Sequence, residues 1–182
     1  MTAATEQTTL LDRYRARRVR RWLIREKQIA GMLPGWRTTP RRRALVVLVI
    51  VALTVLFVTG LLCAFGLVWA ALFAGLSALV FLPSWTMLRI VSQVQDNAPA
   101  ETLDELEFAQ RETARSFGLT VTQSLTVLPM MYLIWSGALF PEADAFRTAY
   151  AGGVMVLATV LAGGCAPAMI LAWNRSDVEP EN

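Results

Sequence analysis

The chain of 182 residues has no histidine, a single lysine (Lys27) and only two cysteines. Each shortage removes chemistry. Without imidazole there is no histidine-held haem, no zinc site using histidine, no Ser-His-Asp or Cys-His catalysis and no histidine proton relay. Cys63 and Cys165 both lie inside apolar stretches. Cys63 is expected near the outer end of its helix and Cys165 in the inner half of another. That difference in depth argues against a disulfide, so both read as small buried apolar residues. Charge is also missing over a long interval: no Asp, Glu, Lys or Arg occurs from Ala44 to Leu88.

What is there fits the bilayer. Hydrophobic residues make up 55% of the chain, above the range of soluble domains. Crossing the hydrocarbon core takes about 20 apolar residues. The uncharged run from Ala44 to Leu88 therefore holds two spans, expected at about Ala44–Cys63 and Leu67–Ile90. Two further apolar stretches follow, at about Phe117–Leu139 and Ala149–Trp173. The fold class expected is all-α: a polytopic membrane protein with four transmembrane helices in two hairpins. A basic amphipathic helix precedes them, and an acidic helical stem leads into the third span. The divisions are 1–43 (basic segment), 44–90 (first hairpin), 91–116 (acidic linker and helix), 117–173 (second hairpin) and 174–182 (acidic tail). A cleaved signal peptide is not expected, because the first apolar stretch is longer than the 7–15 residues of a signal core and a second span follows at once.

Charge is segregated along this plan. Residues 1–43 carry 12 Lys+Arg against Glu6, Asp12 and Glu26. Residues 89–118 carry three arginines against six acids, and the tail carries Arg175 against Asp177, Glu179 and Glu181. Basic residues stay on the cytoplasmic side of short loops. With four spans, termini in the cytoplasm leave only Arg147 outside. The arginine bias and the excess of Ala and Val point to a high-GC bacterial source. The location expected is the bacterial inner membrane, with both termini cytoplasmic.

Three features are candidates for function. The first is the basic helix, with Arg17, Arg18, Arg20, Arg21, Trp22 and Arg25. Its plain role is anchoring to anionic lipid headgroups, where each basic residue contributes about 1 kcal/mol. Docking on an acidic partner, or on the chain's own acidic stem, is the sharper alternative. No groove-reading fold accompanies the arginines, so no nucleic-acid partner is expected. The second feature is the stem. Thr102 and Glu105 fit a capping box. Asp104, Glu105 and Glu107 complement the dipole of a helix start, and Glu107–Arg111 and Glu112–Arg115 are spaced to pair. Read as contacts, Asp104, Glu105, Glu107 and Arg111 are partner residues. Read as a metal or acid–base cluster, the three acids lack a second set of ligands, so no metal, cofactor or catalytic residue is expected. The third feature is the polar third span. Gln123, with Thr120 and Ser124, calls for hydrogen-bond partners within the bundle or across a subunit interface.

Small residues recur every four positions at Ala70, Ala74 and Ala78, at Ala158, Ala162 and Ala166, and at Thr159, Gly163 and Pro167. Such spacing lets helices approach closely, within one chain or in a homo-oligomer. Gly163-Gly164 with Pro167 offers the last helix a place to bend. The function expected is that of a non-enzymatic accessory, assembly or interaction subunit of a larger membrane complex, with other membrane subunits as partners. The alternative is a small transporter or channel lined by Gln123, Thr120 and Ser124. A metal-using enzyme built on the stem acids is a weaker third reading.

Overall fold

A computed structural model describes residues 38–92, 104–139 and 144–174 continuously, and a few positions between 17 and 36. Among the described residues all regular structure is helical. The elements are α1 (Thr39–Ala64), a 3₁₀ turn (Val68–Ala70), α2 (Ala71–Val91), α3 (Glu105–Leu139) and α4 (Ala145–Asn174). All four α-helices are long and apolar enough to cross a membrane, with the 3₁₀ turn extending the second to Val68–Val91.

Local chemistry sets the ends. Pro40 stands in the first turn of α1, where a missing N–H costs nothing. The exit from α1 is a Schellman turn. Gly66 adopts φ +92°, its N–H donates to the Cys63 carbonyl at 3.0 Å, and the Leu67 N–H reaches the Leu62 carbonyl at 3.1 Å. These bonds satisfy carbonyls that the helix end would otherwise strand among apolar groups. At the start of α4, the Asp144 carboxylate accepts the Phe146 and Arg147 N–H groups at 3.0 and 3.3 Å. Prolines 83, 129 and 167 all lie inside helices. Each removes one i→i−4 bond. In α2, Ser84 and Thr86 donate back to the Val80 and Leu82 carbonyls around Pro83. The helix α4 runs unbroken through Gly163, Gly164 and Pro167, so the bend these residues invite does not interrupt it.

The helices α1 and α4 form the centre. The helix α2 packs on α1 and makes a small contact with α4; α3 packs on α4 and has no substantial contact with α1 or α2. Burial follows this order. Within the most apolar stretch of each span, 44% of residues are buried in the first helix and 39% in the fourth, against 22% in the second and 11% in the third.

Side-chain contacts fix the directions. Leu45, Val46 and Val49 at the start of α1 share a cluster with Leu88 and Val91 at the end of α2 and Ala172 at the end of α4. At the opposite end Cys63, Ala70 and Ala151 cluster with Tyr132 and Tyr150 alongside. Neighbouring helices therefore run antiparallel. The two cysteines are buried and lie in different clusters. Lipid chains are as apolar as these side chains, so the clusters are held by close packing and not by expulsion of water.

Close packing depends on a few glycines. A Cβ on Gly60 would lie 2.6 Å from the Met155 Cγ and 3.0 Å from the Ala151 carbonyl oxygen. On α3 and α4 the approach is reciprocal. A Cβ on Gly118 would lie 2.8 Å from the Gly163 oxygen, and one on Gly163 would lie 2.9 Å from the Gly118 oxygen and collide with Thr122. Side-chain bonds also tie the spans. Ser77 Oγ donates to the Ala52 carbonyl at 2.6 Å, joining α2 to α1. Thr126 Oγ1 donates to Thr159 Oγ1 at 3.3 Å, joining α3 to α4.

Candidate interaction surfaces

The small-residue series divide by direction. Thr159, Gly163 and Pro167 turn toward α3, against Thr126, Thr122 and Gly118. Ala158 and Ala166 are buried, and Ala162 packs on the α1/α2 cluster. In α2 the series is less regular: Ala70 is fully buried, Ala78 is exposed, and Ser77 takes the inward place. Small residues on α4 thus serve two neighbours inside the chain.

The basic segment lies partly within the described residues. Arg17, Arg20 and Arg21 are helical and exposed, and so are Leu23 and Ile24. Arg18, Trp22 and Arg25 lie outside the described residues. The arginines that border the spans pair with aromatic rings. The guanidinium of Arg43 sits 5.0 Å from the Trp173 ring centre, Arg89 sits 5.7 Å from Trp85, and Arg41 sits 5.8 Å from Trp36. Such pairs place a cation and an amphipathic ring together at the level where hydrocarbon meets headgroups. Arg42 is buried at the same end, with Nη2 donating to Thr39 Oγ1 at 3.1 Å. Its inward place follows from helix phase, because Leu45, Val46 and Val49 on the same face pack inward.

The stem is one helix with the third span, since α3 continues from Glu105 to Leu139 without a break. At 35 residues it is about 52 Å long, well beyond a ~30 Å core. Asp104 caps it, accepting the Glu105 N–H at 2.8 Å. Thr102, the other expected cap, lies outside the described residues. Asp104, Glu105 and Glu107 are exposed, and no group of three or more potential metal ligands converges among the described residues. Arg111 is buried instead. Its guanidinium crosses the Phe108 ring at 5.1 Å and lies 3.3 Å from Glu112. Of the carboxylates described, Glu112 rather than Glu107 neighbours Arg111, and it also meets Arg115 at 3.5 Å. Those two ion pairs involve a half-exposed carboxylate and are worth at most about 1 kcal/mol each.

The polar residues of the third span are split between two faces. Thr122 and Thr126 turn toward α4. Gln123, Thr120 and Ser124 are exposed. The Thr120 hydroxyl is tied to the Ser116 carbonyl at 3.0 Å. Gln123 stands eight residues beyond Arg115, about 12 Å along the helix, on a surface where its neighbours Leu119, Val127 and Met130 are also exposed. Its amide makes no hydrogen bond among the described residues. Intramolecular polar ties are made by Ser77 and Thr126, which the sequence does not distinguish from other small hydroxyl residues.

Comparison of the chain with family models, with curated proteins and with solved structures gives no match.

Proposed function

We infer that this chain is a non-enzymatic multi-pass protein of the bacterial inner membrane, acting as an accessory, assembly or interaction subunit of a larger membrane complex. Both termini are placed in the cytoplasm by the distribution of arginine. The observation that carries this reading is the third span. Among the described residues it packs substantially on one helix of its own chain, and it presents an amide and hydroxyls to the exterior within its apolar stretch. Polar groups in hydrocarbon seek partners. A protein neighbour supplies them, whereas lipid does not. The basic segment, with Leu23 and Ile24 exposed beside Arg17, Arg20 and Arg21, fits anionic headgroups at the same side of the membrane.

The transport alternative needs Gln123, Thr120 and Ser124 to line a path. Their outward direction, away from α4, favours a contact role over a conduit. The test is crosslinking in native membranes with photoreactive probes at Gln110 and Ser124, followed by mild-detergent purification. Recovery of other membrane proteins at these positions is the expected result. Recovery of this chain with no other protein overturns the reading.

A further inference from the structure

The outer face of α3 carries a heptad seam that its own fold leaves uncovered. Counting from Leu106 in steps of three and four, one series contains Leu106, Thr113, Thr120, Val127 and Ile134. The alternate series contains Ala109, Ser116, Gln123, Met130 and Gly137. Every one of these positions is exposed. None is charged, although the same stretch of stem holds Glu105, Glu107, Glu112 and Arg115 at other exposed or half-exposed positions. The face against α4, with Arg111, Ala114 and Gly118, lies on the opposite side of the helix. A 3.5-residue apolar repeat is the pattern of helices that wind round one another in a left-handed sense.

We propose that this seam pairs with the same seam of a second copy, forming a parallel two-fold dimer centred on Gln123. Three features select a second copy. First, every polar group on the seam both donates and accepts: an amide at Gln123 and hydroxyls at Thr113, Ser116 and Thr120. The face is therefore complementary to itself and asks for no opposite charge. Second, copies inserted with one topology lie parallel, so each residue meets its equivalent at equal depth. Two Gln123 amides then exchange reciprocal N–H···O=C bonds, and one polar layer in a greasy seam sets the register. Third, the first series is β-branched after Leu106, and the second is small at Ala109, Ser116 and Gly137. β-branched residues at the first core position favour two strands, and small residues let backbones approach. Two hydroxyls already turn back on their own helix, Thr113 to the Ala109 carbonyl at 2.9 Å and Thr120 to Ser116 at 3.0 Å, leaving Gln123 as the group that gains most.

The pairing rests on the reading that this protein works through membrane-protein contacts, and it names one of them. The experiment uses the full chain in native membranes, with Cys63→Ala and Cys165→Ala as background. Ala109→Cys and Ser116→Cys report on the seam; Glu107→Cys and Leu128→Cys report on exposed positions beside it. Copper-catalysed oxidation is expected to give a band of two chains for the seam pair and at least fivefold less for the flanking pair. Adding Gln123→Leu is expected to weaken association about three- to tenfold, the range of interhelical polar contacts, with no loss of inserted protein. Equal bands at all four positions, no band on the seam, or a ladder beyond two chains overturns the dimer. Seam crosslinks with no other subunit recovered overturn the accessory role and leave the dimer standing. Other subunits recovered without seam crosslinks do the reverse.

Discussion

The helices α4 and α3 are both long, both contain a proline and pack on each other, yet they meet their surroundings differently. The helix α4 is enclosed on two sides. It gives Gly163 and Thr159 to α3, and Cys165 and Ala172 to the cluster it shares with α1 and α2. The helix α3 is covered on one side, and 11% of its span is buried. The difference lies in residue size and polarity. Small side chains on α4 let two neighbours approach, whereas α3 puts Gly118, Thr122 and Thr126 on one face and Gln123 on the other. A helix whose small residues point both ways becomes a centre; one whose amide points outward stays exposed on that side.

That contrast is open to direct attack. The strongest blow falls on the α3/α4 approach. Gly163→Val puts a branched side chain against Thr122 and the Gly118 carbonyl. It should destabilise the pair by about 3 kcal/mol, the upper range of overpacking, read as unfolding in mild detergent. Next comes Gly60→Ala, where the new Cβ meets the Met155 Cγ at 2.6 Å and the Ala151 oxygen at 3.0 Å. A cost of about 2 kcal/mol is expected. Met155→Ala added to it should recover only part, because the carbonyl stays. Equal stability of Gly60→Ala and the parent would show that α1 and α4 are not closely packed. The turn is weaker still. Gly66→Ala must adopt φ +92° and should cost about 1–2 kcal/mol, seen as a lower unfolding temperature. Ser77→Ala removes the tie to Ala52 and should cost about 0.6 kcal/mol, the mean for such contacts in a membrane. The smallest effect belongs to Gly153→Ala. Nothing lies within 4 Å of a Cβ there, so stability should stay level or rise slightly. A loss comparable to that of Gly163→Val would mean that burial does not divide the faces of α4 as described.

Much of this was legible in advance. Four spans follow from the run of 45 uncharged residues and the two apolar stretches after it, because hydrocarbon rejects charge whatever the fold. Continuity of the stem with the third span follows from the lack of a breaker between Glu105 and Leu139. The extra turn at Val68–Ala70 was not visible, since apolar composition does not tell a 3₁₀ turn from the first turn of a span. Burial of Arg111 was not visible either: spacing offered Glu107 as its partner, and the side chain lies over Phe108 and beside Glu112. Nor could spacing tell that Gly163 and Pro167 would serve packing against α3 and leave the helix unbroken.

Sequence alone determined where the chain is greasy, where it is charged and therefore which stretches cross a bilayer, because transfer free energy is a property of residues summed along a segment. Tertiary structure alone decided which face of each helix is covered. That choice depends on how closely backbones approach at Gly60, Gly118 and Gly163, and a distance between helices is a property of pairs of surfaces, written in no single segment.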